Sequence, residues 1–212
     1  MIFFTRHGES VANVADREFK ARPEDADSLS PRGWEQARGV GERLRGEGIE
    51  AILASHYGRA QETASAIGEV LGLGFETDPD LHEVRQADAY YTSAPEYGDT
   101  GSITWMPTAE RDFARPGAES FDTILARVDR VQERLAVRDD TVLCVSHWGF
   151  MHLFLGTTMF GEAFGPEHLL ALYRISHANT GITIFEHREG RVLDGVELPG
   201  WILTTWNDRA HL

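Results

Sequence analysis

"TVLCVSH", residues 141 to 147, is a run of apolar and β-branched residues that closes on a histidine. A short run of this kind reads as a buried strand. "IFFTRH" (2 to 7) and "AILASH" (51 to 56) have the same form and the same ending. Helical patterns precede the second and third runs, and a loop or helix start follows each. Strand and helix therefore alternate, which predicts a parallel α/β sheet with all three histidines at one edge.

The helices around these runs carry their own signals. In "LSPRGWEQARGVGERLRGEGIE", Ser30 caps a helix, Pro31 suits its first position, and Gly46 and Gly48 supply the stop. Gly39 and Gly41 lack the third glycine of a dinucleotide fingerprint and follow a helix start rather than a strand. A second helix is predicted from about Gly58 to Leu71, with Ala60, Thr63, Ala64, Ile67 and Leu71 on one face. A third begins near Ser120 and a fourth at Trp148. "GITIFEH" (181 to 187) and "WILTTWN" (201 to 207) read as strands joined through glycine turns, at least one of them antiparallel at the sheet edge.

The expected fold is thus a three-layer α/β sandwich in a single domain over residues 1–212. Its central sheet is mostly parallel, with helices on both faces. Residues 84–118 lose all periodicity and mix Tyr90, Tyr91, Tyr97, Trp105, Met106 and Phe113 with prolines and glycines. This stretch is expected to form an irregular lid or pocket wall over the site.

Composition narrows the function. The 212 residues carry a formal charge of −14, which argues against a nucleic-acid surface or an anionic membrane as partner. No stretch approaches the length of a membrane span, and "MIFF" is too short for a signal-peptide core. The lone Cys144 lies in an apolar run, so no disulfide forms within the chain and a cytoplasmic setting is expected. A sheet edge or helix face leaves room for a homodimer.

Ligands of open α/β sheets bind beyond the carboxyl ends of the strands. Here those ends bring Arg6 and His7, then His56 with Arg59 one short loop later, then His147. Arginine offers a planar fork of donors matched to phosphate oxygens, and helix N-termini add backbone N–H groups. A neutral imidazole is a nucleophile toward phosphorus, while cationic neighbours keep it neutral and stabilise the transferring group. An acid must protonate the leaving oxygen. Glu83 in "DLHEVRQ" is the candidate, with Asp88 a weaker rival.

Several motifs then resemble one family. "TRHGES" with Asn13, "LSPRGWEQA", "SHYGRAQETA", "RPGAES", "VSHWGF" and "NTGITIF" are similar, in order, to segments of the histidine phosphatase superfamily, also called phosphoglycerate mutase-like. The resemblance implies that His7 is the phosphorylated nucleophile and that Arg6, Arg59 and His147 complete the phosphate pocket. It makes Asn13 a further hydrogen-bond donor to the phosphate, Glu83 the proton donor and Asn179 a residue near the pocket, with no metal or other cofactor. Tyr57 and His56 depart from the common pattern, as does Trp148, which stands where relatives carry a small residue and could narrow the pocket mouth or stack on substrate.

The family contains phosphatases and cofactor-dependent mutases. A mutase must hold the glycerate carboxylate with extra basic residues, whereas residues 84–118 offer Arg85, Arg111 and Arg115 against Asp88, Glu96, Asp99, Glu110 and Asp112. Hydrolysis of a small phosphomonoester is therefore the expected activity. A phosphoglycerate mutase and a non-catalytic phosphate-ligand binder are the alternatives. A metallohydrolase is disfavoured by the spacing of His147 and His152, which does not put both on one helix face.

Overall fold

A computed structural model describes residues 1–17, 27–85, 110–114, 117–198 and 200–212. In chain order the elements are β1 (Ile2–Arg6), α1 (Val11–Arg17), α2 (Pro31–Leu44), β2 (Ala51–Ala54), α3 (Gly58–Leu71) and β3 (Glu76–Thr77). They continue with α4 (Phe121–Ala136), β4 (Val142–Ser146), α5 (Trp148–Phe160), α6 (Pro166–Leu172), β5 (Ile182–His187), β6 (Val192–Leu193), β7 (Val196–Glu197) and β8 (Trp201–Asp208). Most of the stretch expected as a lid, with Asp88, Arg115 and its tyrosines and tryptophan, lies outside the described residues.

Six strands form one mixed sheet in the order β3-β2-β4-β1-β5-β8. The pairs β3–β2, β2–β4 and β4–β1 are parallel, as the alternation of strand and helix predicts. β5 runs antiparallel to β1, and β8 antiparallel to β5. The reversed strand is therefore β5, one place inside the edge, and β8 is the edge itself. Asp194 and Gly195, with φ of 50° and 81°, close the β6–β7 hairpin between them, as expected for an Asp-Gly turn.

Side chains alternate across the sheet, and the core divides accordingly. Ile2, Phe4, Leu53, Cys144 and Phe185 pack against α4, α5 and α6. Phe3, Ile52, Ala54, Leu143, Val145 and Ile182 pack against α2 and α3. The result is the expected α/β sandwich with helices on both faces. Burial pushes the Cys144 thiol up, so it behaves as a small apolar core residue. Among the described residues, no helix is long and apolar enough to cross a membrane.

α2 starts as its sequence requires: the Ser30 hydroxyl accepts the Gly33 N–H at 3.1 Å, with Pro31 in the first turn. Gly33 has a second duty. A Cβ there would lie 2.1 Å from the Glu9 carbonyl, so only glycine lets the loop after β1 rest on the first turn of α2. α5 differs from the others in being apolar on every side, and its residues 149–156 are all buried.

Candidate active site

The site begins where the β1–β4 ladder ends. The His7 N–H donates to the Ser146 carbonyl at 3.0 Å, which carries the pairing one residue past β1. His7 and His147 then stand beside each other at the strand ends, ring centroids 5.2 Å apart and both buried. Nδ1–H of His7 donates to the Gly8 carbonyl at 2.7 Å, which leaves Nε2 with its lone pair. That lone pair accepts Nε–H of Arg59 at 3.1 Å. The same guanidinium reaches Nδ1 of His147 at 3.1 Å through Nη2, while Nε2–H of His147 is directed at the Ser55 hydroxyl, 2.8 Å away.

One arginine thus donates to two imidazoles, and a guanidinium can only donate. Both rings are neutral acceptors toward it. Their titration agrees: burial, followed by the charges of Arg59 and its neighbours, drives both histidines well below the usual imidazole range. The predicted nucleophile therefore keeps an unprotonated nitrogen well into the acid range.

Around this pair the remaining sequence-predicted residues take their places. Arg6 donates through Nη1 to the His177 carbonyl at 3.0 Å, and its Nε is buried without an acceptor among the described residues. Burial lowers its titration and the Glu83 charge raises it. Asn179 uses its amide to hold the His7 carbonyl at 3.0 Å and the Asn13 Oδ1 at 3.1 Å. Asn13 also accepts the Ser10 N–H, and its NH₂ group has no acceptor among the described residues. The adjacent Thr180 is buried with φ of 60°, an uncommon conformation for a β-branched residue. Its N–H donates to the Arg6 carbonyl at 3.0 Å and its hydroxyl to the Asn179 carbonyl at 2.7 Å, which fixes Asn179 against β1.

Glu83 sits over the start of α5. Its carboxylate accepts three backbone N–H groups: Val84 at 2.9 Å, and Gly149 and Phe150 at 3.2 Å each. A Cβ at position 149 would come within 2.5 Å of Oε1, so Gly149 is what lets the carboxylate approach. The helix amides expected to face phosphate are thus partly used inside the protein. α5 gives its second and third, from Gly149 and Phe150, to Glu83, and at α3 the Gly58 N–H goes to Asp27 at 2.7 Å. Asp27 also forms an ion pair with Nη1 of Arg59.

Several contributors were not visible from the motifs. Ser55 orients His147, whereas the neighbouring His56 is exposed and packs on Tyr57 and His82, with centroids 4.8 and 5.5 Å away. The Thr63 hydroxyl accepts the Gly8 N–H at 3.0 Å. Glu119 and Arg127 form a buried ion pair at 2.9 Å that braces the loop bearing Glu83. Glu119 takes the Arg85 N–H, and Arg127 donates to the Asp80 and His82 carbonyls at 2.7 and 2.9 Å. Ser55 lies one residue past β2, where its N–H still pairs with the Val145 carbonyl at 3.0 Å. Trp148 is half-buried against His152 and Tyr173, with centroids 4.3 and 4.5 Å apart. Among the described residues no group of three or more His, Cys, Asp and Glu side chains is arranged to hold a metal ion.

The sequence profile of the histidine phosphatase superfamily (branch 1) matches residues 2–196. The chain belongs to that superfamily. A relative named probable phosphoglycerate mutase GpmB, from Salmonella paratyphi B, is 29% identical over 223 residues, covering 100% of this chain and 94% of the relative. Among solved structures, the mycobacterial glucosyl-3-phosphoglycerate phosphatase bound to inorganic phosphate superposes with a TM-score of 0.70 at 22% identity, covering 100% of this chain and 98% of that one. The α-ribazole phosphatase of Shigella flexneri gives 0.67 at 20%, covering 99% and 96%. These likenesses confirm the fold of a histidine phosphatase, and the superfamily's phosphatases and mutases make the chain a phosphoryl-transfer enzyme.

Proposed function

We propose that the protein is a metal-independent phosphatase that hydrolyses a small phosphomonoester through a phosphohistidine intermediate. The observation that carries this reading is the Nε2 lone pair of His7, fixed by the Gly8 carbonyl and bracketed by Arg59. As the phosphoryl group enters, Arg59 turns its Nε–H from Nε2 to a phosphoryl oxygen; the freed lone pair attacks phosphorus, the bond from phosphorus to the ester oxygen breaks, and Glu83, entering as the acid, protonates the departing oxygen. The imidazole becomes charged, and Nδ1–H delivers part of that charge to the Gly8 carbonyl. Water then attacks phosphorus, Glu83 takes its proton, and inorganic phosphate leaves with His7 neutral again. Arg6, Arg59 and the Asn13 amide bind the phosphoryl oxygens in both steps, and His147 holds the Arg59 guanidinium in place for them.

The expected result is release of phosphate from phenyl phosphate in excess chelator, with His7→Ala losing at least 1,000-fold in kcat while still binding vanadate. Full activity in His7→Ala would overturn the covalent route, and activity restored only by a divalent metal would overturn metal independence.

The likeness to a probable phosphoglycerate mutase favours a second reading, isomerisation of a phosphoglycerate. The acidic balance of residues 84–118 supports hydrolysis instead. Monophosphoglycerate supplied with bisphosphoglycerate separates the two: hydrolysis releases phosphate, and isomerisation without net release would establish the mutase.

A further inference from the structure

Beside the phosphoryl site lies a cleft of about 560 Å³, walled by Arg6, Glu9, Arg32, Gln36, Asn179 and Arg209. It shares Arg6 and Asn179 with the site already described and adds two arginines that the proposed reaction does not use. The protein carries 34 acidic against 20 basic residues. Surface arginines such as Arg43, Arg134 and Arg138 are each matched to a carboxylate. Arg32 and Arg209 have no such partner among the described residues, though both are exposed and both line this cleft.

The local fold adds to the positive potential. Arg32 stands in the first turn of α2, which contains no acidic residue, so a cation sits at the positive end of the helix dipole. Among the described residues no carboxylate pairs with that cation. Among the described residues Glu9 is the only acidic side chain lining the cleft, and its carboxylate accepts the Ser30 hydroxyl at 2.8 Å. The Gln36 carbonyl accepts the Glu9 N–H at 2.9 Å, which frees the Gln36 NH₂ as a neutral donor.

We propose that this cleft is a second anion site, in which Arg32 and Arg209, with the Gln36 amide, hold a phosphate or carboxylate group of a small molecule. Such a group has two sources: a distal acid on the phosphomonoester itself, or a separate anion bound next to it. The first source rests on the phosphatase reading above. The second does not.

The test uses the full chain and the double variant Arg32→Gln/Arg209→Gln, neither residue belonging to the reacting site. Phenyl phosphate and 4-carboxyphenyl phosphate are compared as substrates. In parallel, citrate is titrated calorimetrically into protein saturated with vanadate. A tenfold or greater loss of kcat/KM for the carboxylated substrate, with phenyl phosphate unchanged, assigns the site to the substrate. Loss of citrate binding in the double variant assigns it to a separate anion. A folded double variant that retains both properties of the wild type overturns the proposal. Wild-type protein inert toward phenyl phosphate would count against the phosphatase reading alone, because the citrate titration reads the cleft without turnover.

Discussion

Arg59 gathers the chemistry of this protein onto one side chain. Its donors reach His7 and His147 together, and neither imidazole can be protonated without losing that contact. The acid limb of kcat/KM should accordingly fall below pH 6.5, since burial and the two arginines lower the His7 titration; a limb at or above 6.5 would contradict a neutral, shielded nucleophile. Ser55 supplies the counterpart on His147. Ser55→Ala leaves a buried N–H without an acceptor, a loss of roughly 1–3 kcal/mol, so kcat should drop by about 10- to 100-fold. His56→Ala, one residue on, should change phenyl phosphate turnover less than threefold. Steady-state kinetics on the two variants distinguish which neighbour of the strand end matters. Arg6, His7, Arg59 and His147 were legible because each stands at a strand end or in the first turn after it. Ser55 was not, because a serine beside a histidine at a strand end draws no attention by itself.

At the level of elements, the acid candidate depends on a helix that contributes no side chain to hold it. Glu83 is held by the opening amides of α5 and by its own neighbour Val84, and the approach exists because residue 149 has no Cβ. Gly149→Ala should push the carboxylate off these amides and lower kcat by about 10- to 100-fold, the scale of an ångström of misplacement. Vanadate affinity should stay within threefold, because Arg6, Arg59 and Asn13 sit on other elements. Equal losses in both quantities would mean that the whole site had moved. The helices themselves were readable from their caps and periodicity, and the capped start at Ser30 and the span Gly58–Leu71 agree with the structure. The brace beneath Glu83 was not. Glu119 and Arg127 lie far from the nucleophile in sequence, and a buried ion pair looks on paper like two solvated charges.

For the molecule as a whole, acid tolerance of the chemistry and acid tolerance of the fold should part company. His7 and His147 are buried and held neutral, and burial brings His177 down to about 3. In the unfolded chain each binds a proton near pH 6.5, so below that pH the unfolded state takes up more protons and gains. Stability from these groups is complete above about pH 6.5 and declines by up to about 1.4 kcal/mol per pH unit for each histidine as the pH falls. Urea midpoints should be level from pH 7 to 8 and drop steeply from 6 to 4; a flat profile to pH 4 would show that the three rings do not resist protonation. The parallel core was predictable from three matching strands, and the antiparallel edge expected of the two C-terminal runs is met by β8 on β5; that β5 also reverses against β1 was not legible, because one strand's run does not say which neighbour it will pair with.

The strand order β3-β2-β4-β1-β5-β8 also has a consequence for biosynthesis. β1 is made first yet lies between β4 and β5, so its "IFFT" segment leaves the ribosome about 140 residues ahead of the nearer strand it pairs with. At the usual 5–20 residues per second that delay is on the order of ten seconds, during which a bare apolar strand depends on chaperones or on transient contacts with α2 and α3. His7 waits with it. The proposed nucleophile acquires its setting only when nearly the whole chain exists, since the Ser146 carbonyl and the Asn179 amide that hold it come late in the sequence.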